Sequence, residues 1–237
     1  MWDTWRQATC MPDSCFCEAI HDGVVRQPAN SWSSLGFCVA GLVMAVELFR
    51  RRDARGLRPV EAATFAVAVF LVGATSAFYH ASLTFLGQSL DVQSMYLLAL
   101  LAVAVNVDAL RPGAPRRFGL VYVGLNVVLG VLLLAVPVLR RYAFGLALGS
   151  IVVTEVLLRR RTLRDWPLSM LLGAAAVQGV AFFIWVMDLT HTWCAPDSLV
   201  QGHAAWHLLG AVASYMLWRY YRGSGQTMSR SAAPVGR

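Results

Sequence analysis

Long apolar blocks alternate with short polar connections from about residue 31 to residue 221, and the blocks are too long for strands. They predict seven helices, at about 31–50, 59–82, 88–107, 117–138, 141–158, 166–187 and 200–221. A bilayer crossing takes roughly 20 apolar residues, so each block predicts a membrane span. An outer-membrane barrel would instead show short alternating segments. Pro59 and Pro167 fall at helix starts, where a missing N–H costs nothing, and Pro112, Pro115 and Pro196 fall in connections. Gly130, Gly145, Gly149 and Gly173 lie inside blocks and read as close helix contacts. The first block follows an acidic, cysteine-containing segment without a basic n-region, so it reads as a span and not as a cleaved signal.

These elements predict an all-α, polytopic membrane protein: one seven-helix transmembrane domain over residues 1–222, with an N-terminal outer segment over 1–30. Residues 223–237 read as a disordered cytoplasmic tail. Composition agrees, with 57% of the 237 residues hydrophobic and only 14% charged, against about 25% charged in a soluble domain. The net charge of +7 does not require nucleic acid. All 20 basic residues are arginine, and they cluster beside the blocks, where cationic side chains snorkel to head groups and set orientation. All but Arg6, Arg26, Arg140 and Arg141 fall after the first, third, fifth and seventh blocks. That asymmetry predicts an outside N-terminus and a cytoplasmic C-terminus, in a multi-pass protein of a cell membrane.

Of the five cysteines, Cys38 lies inside the first block and reads as a packing residue. Cys10, Cys15, Cys17 and Cys194 fall on the outer side, where disulfides persist. A structural bridge is favoured over a zinc site built from Cys15 and Cys17 with Cys10 or His21, because a lone C-x-C lacks a second ligand pair.

Ionisable groups inside hydrocarbon are expensive and are the first functional candidates. His80 ends the second helix, Asp91 opens the third, and His203 and His207 open the seventh, all at one predicted membrane depth. Residues four apart share a helix face, so His203 and His207 can bind one ion, with His80 as a third ligand and an open fourth position, the pattern of catalytic zinc. Ser76 lies one turn from His80 on the same face, and Asp91 is in reach of water or substrate. His21 and His191 read as solvated or loop-capping, and Glu47, Glu61 and Glu155 as arginine ion pairs. Asp188 is a candidate partner for a histidine.

At these residues the sequence resembles the alkaline ceramidase family, within a seven-helix hydrolase superfamily that includes adiponectin-type receptors and GPI-remodelling lipases. The resemblance rests on Ser76 and His80 in an S-x-x-x-H element, Asp91, the His203/His207 pair, Cys17-Glu18, Asn30 with Ser33 and Ser34, and Cys194. It implies a zinc hydrolase that cleaves the amide of ceramide, a membrane lipid, to a sphingoid base and a fatty acid. It further implies His80, His203 and His207 as zinc ligands, Ser76 steadying the oxyanion, Asp91 transferring protons, and a Cys17–Cys194 disulfide. One departure concerns calcium. The family's acidic N-terminal segment, D-W-C-E-x-N with a later Glu, reads here Cys15-Phe-Cys-Glu18-Ala-Ile20 with Gln27 near the later Glu. Calcium prefers several charged oxygens, so this predicts weak or absent calcium regulation. Other readings are a hydrolase of another N-acyl lipid or lipid ester, and a receptor or lipid-binding protein with structural zinc. A transporter fares worst, because no inverted repeat is evident.

Overall fold

Seven helices are seen among the described residues of the computed structural model, which are 1–9, 15–50, 56–110, 115–162 and 168–223. They are α1 (Pro28–Arg50), α2 (Pro59–Ser82), α3 (Phe85–Leu110), α4 (Pro115–Ala135), α5 (Arg140–Thr162), α6 (Leu168–Leu189) and α7 (Gly202–Gly223). Among these residues the only extended pairing is an isolated bridge between Gln7 and Thr84. The first six helices are long and apolar enough to cross a membrane. α7 is not counted with them; its sequence carries His203, His207, Arg219 and Arg222. The predicted fourth helix ends at Ala135 and not at 138, because Pro137 cannot donate and starts a short 3-10 turn, Pro137–Leu139, that leads into α5. Arg51, Arg52, Arg55, Arg111, Arg164, Arg230, Arg237, Pro112, Pro167, Cys10 and the predicted tail from 224 onward lie outside the described residues.

Packing runs α6 on α7, α7 on α1, α1 on α2, α2 on α3, and α3 on both α4 and α5. Among the described residues α5 and α6 share no such interface, so this open ring has a gap on one side. Glycines allow the tightest crossing. A Cβ on Gly73 would stand 2.6 Å from the Cys38 nitrogen and 2.8 Å from the Ser34 carbonyl, which locks α2 against α1 at the level of Ser34. Of the glycines read as contacts, Gly130 meets Gln93 and Gly173 meets Met216, but Gly145 and Gly149 face open space. An apolar face toward lipid tolerates glycine as readily as one toward a helix, so sequence does not separate the two cases.

The acidic residues near span ends pair with arginine, as predicted. Arg58 contacts both Glu61 and Asp108, and Arg159 bonds Glu155 at 2.9 Å. Glu47 turns to α7, where it contacts Arg222 and accepts from the Tyr215 hydroxyl.

The end of the bundle holding the α2–α3 turn is built over by the N-terminal segment. Leu83, fully buried with φ 52°, and Thr84 alone separate α2 from α3, so the end of α2 that carries His80 and the start of α3 that carries Asp91 lie at the same end of the bundle. Residues 26 and 27 bond the carbonyls of Ala81 and His80, and the Ala8 N–H bonds that of Leu83. Glu18 caps α1 by accepting from the Ala29 and Asn30 N–H groups at 2.6 and 2.9 Å. Burial holds the Glu18 carboxyl above its usual range, against those two donors. Cys17 and Cys194 form a disulfide that closes a separation of 177 residues. A loop of that length makes Cys194→Ser cost about 2–5 kcal/mol. Thermal unfolding of the oxidised wild type and the variant measures this, and an unchanged midpoint contradicts it.

Candidate metal centre

His80 comes from the last turn of α2, Asp91 from the second turn of α3, and His203 and His207 from the first turns of α7. All four side chains are buried, as is Ser76 one turn below His80. The ligand atoms of His80, His203 and His207 lie within 4.8 Å of one another, so this cluster could hold a metal ion. The Nε2 atoms of His80 and His203 are 3.2 Å apart. Two nitrogens bound at about 2.0–2.1 Å to one tetrahedral ion would be separated by about 3.3 Å, so these residues fit zinc.

Hydrogen bonds behind the rings assign the tautomers. Gln27 donates its amide N–H to the Glu18 carbonyl at 2.9 Å, which turns Gln27 Oε1 toward His80 Nδ1 at 2.8 Å. An oxygen there accepts, so Nδ1 carries the proton and Nε2 keeps its lone pair for a ligand. At His207 the hydroxyls of Ser33 and Ser34 both donate to the Asn30 carbonyl, and their oxygens stand 2.9 and 3.2 Å from Nδ1. They accept from Nδ1–H, again leaving Nε2 free. His203 differs. Its Nδ1 is buried with no partner among the described residues, and its ring is held by Phe16 at 4.5 Å between centroids and by the other two imidazoles.

Asp188 partners a histidine, as expected, but through the backbone of His203 and not through its ring. Its two carboxylate oxygens accept from the backbone N–H groups of His203 and Cys17, at 3.1 and 3.2 Å. It thereby joins the end of α6, the start of α7 and the disulfide, and fixes the turn that presents His203. His21 and His191 are exposed, as predicted. Cys15 and Cys17 are each disulfide-bonded, so neither is available as a thiolate ligand for zinc.

The Ser76 hydroxyl is 3.3 Å from His207 Nε2 and also hydrogen-bonds Asp91. Sequence reasoning therefore named a set of five residues that the fold brings together. It missed Gln27 and Phe16 as contacts of the histidines, because both act across long sequence separations without a local pattern. Ser76, Asp91, His203 and His207 face a cavity of about 570 Å³ whose other walls are mostly apolar, including Val72, Leu148, Ile151, Leu171 and Phe182. α5 and α6 line it from opposite sides of the gap. The size and apolar walls suit a small amphiphile or part of a lipid.

No curated protein matches the chain. The sequence model of the ceramidase family matches residues 13–230, which covers all seven helices and every residue of the centre. That match, over far more than half of the sequence, agrees with the three-histidine cluster and the apolar cavity beside it, and the chain belongs to the ceramidase family.

Proposed function

We propose that the chain is a zinc-dependent membrane amidohydrolase that cleaves the N-acyl amide bond of ceramide to a sphingoid base and a fatty acid. The observation that carries this reading is the cluster of His80, His203 and His207 at a cavity of lipid character. In it the three imidazoles hold the metal, and Ser76 and Asp91 are the catalytic residues. Zinc bound there supplies Lewis acidity and makes water reactive near neutral pH. Asp91 takes the proton of the attacking water and returns it to the amine nitrogen as the carbon–nitrogen bond breaks. The Ser76 hydroxyl donates to the carbonyl oxygen as it gains charge. The hydrocarbon chains enter sideways from the bilayer through the gap between α5 and α6.

Seven spans, an outside N-terminus and a site toward the outer face complete the proposal. The arginine distribution supports that orientation, and the Cys17–Cys194 disulfide fits an oxidising compartment there. Calcium has little role in this reading, since the Glu18 carboxylate is engaged as the cap of α1.

The test is fatty-acid release by purified protein from ceramide and from an ester analogue with the same chains. Release from the amide is expected. Release from the ester alone would make the protein an esterase, and release from neither would favour a binding protein with structural zinc. A further prediction concerns Gln27. Gln27→Leu removes the acceptor that fixes the His80 tautomer and lowers zinc affinity by about 10–100-fold, read by competition with a chelator. Unchanged affinity contradicts that role.

A further inference from the structure

Resting on the lipid-hydrolase reading above, we infer that Arg140 forms a subsite for an anionic lipid head group, a phosphate, sulfonate or carboxylate, so that the preferred N-acyl lipid is acidic. Arg140 opens α5 and lines the cavity that Ser76, Asp91, His203 and His207 also line. Its guanidinium is held in place: Nη1 donates to Thr9 Oγ1 at 3.2 Å and to the Pro137 carbonyl at 2.9 Å. Thr9 Oγ1 donates in turn to Gln88 Oε1, and Gln88 Nε2 to the Tyr79 hydroxyl beside His80. Both partners of Arg140 are neutral oxygens, and among the described residues no carboxylate pairs with it.

The other partly buried arginines set the contrast. Four of them pair with a carboxylate: Arg58, Arg159 and Arg222 each contact a glutamate and Arg26 contacts Asp3. Arg140 has instead Arg141 as its neighbour on the same cavity wall, and the first turn of α5, the positive end of its dipole, holds no acidic residue. A cation in a mostly apolar wall is costly without a counter-charge. Among the described residues Asp91 is the only acidic one on that wall, and it is hydrogen-bonded to Ser76. An amphiphile with its amide at the histidines and its chains toward Leu148 and Leu171 leaves its head group at the N-terminal end of α5. There a guanidinium can form a charge-assisted, bidentate contact with an oxyanion.

The test compares kcat/KM on ceramide and on its 1-phosphate, with identical chains in phosphatidylcholine micelles. Wild type is expected to favour the phosphate by about tenfold, and Arg140→Gln to lose about 10–100-fold on the phosphate, mainly through KM, with under about threefold change on ceramide. Arg140→Lys should recover part of the loss. Equal losses on both lipids, or no preference in wild type, would overturn the subsite. Equilibrium binding of both intact lipids to Asp91→Asn protein, with and without Arg140→Gln, gives a reading that needs no turnover. Arg140-dependent preference for the phosphate is expected there too, and equal affinity overturns the inference. Such a preference in a protein that hydrolyses neither lipid would support the subsite and refute the hydrolase reading.

Discussion

His207→Ala yields protein that retains its helices but binds no zinc and releases no fatty acid from ceramide. The substitution removes one of three nitrogens that lie within 4.8 Å of one another, and two imidazoles do not make a closed site for zinc. It also strands the two serine oxygens that Nδ1 satisfies, Ser33 and Ser34, although both hydroxyls keep the Asn30 carbonyl as acceptor. The fold survives because α7 is anchored well away from the site, where Trp218, Tyr220 and Tyr221 are buried. Loss of a ligand should exceed the about 10–100-fold that loss of a supporting partner costs, and turnover should fall by about a thousandfold or more. Metal analysis and fatty-acid release on the same preparation check this. Full activity with normal zinc content would sink the assignment of His207 as a ligand.

Asp91→Asn separates binding from chemistry. The amide keeps the volume of the carboxylate and can still accept from Ser76, so the packing of α3 against α2 stays intact. It cannot take a proton from water. Zinc content should therefore remain at the wild-type level while kcat falls by about 10²–10⁴-fold, the range set by loss of a general base. Zinc lost in parallel with turnover would instead make Asp91 a ligand, and unchanged kcat would remove it from the reaction.

The helices were legible because a bilayer leaves little choice: solid apolar blocks of this length have to be helical. α7 shows the limit of that argument. Its lower apolarity reflects the same residues that make it chemically interesting, and the i, i+4 spacing of His203 and His207 adds that both share one face of the helix. The depth argument that grouped His80, Asp91 and the α7 pair needed only the order of helices, which the fold reproduces. What supports those side chains was hidden. Gln27 and Phe16 reach the histidines across more than fifty positions, and Asp188 works through backbone N–H groups and not through a ring. Gly145 and Gly149 show the converse error, in which a residue type implied a contact that the fold does not make. Arg140 read as a topology signal alone, because nothing local distinguishes a snorkelling arginine from one on a cavity wall.

The most direct test of the central claim is to strip the purified protein with a chelator and return zinc stepwise, following ceramide hydrolysis and bound metal in the same samples. Activity is expected to disappear with the metal, to return in proportion to bound zinc, and to reach its plateau at one zinc per chain. Hydrolysis that persists in zinc-free protein, or zinc that rebinds fully without restoring any hydrolysis, would contradict it.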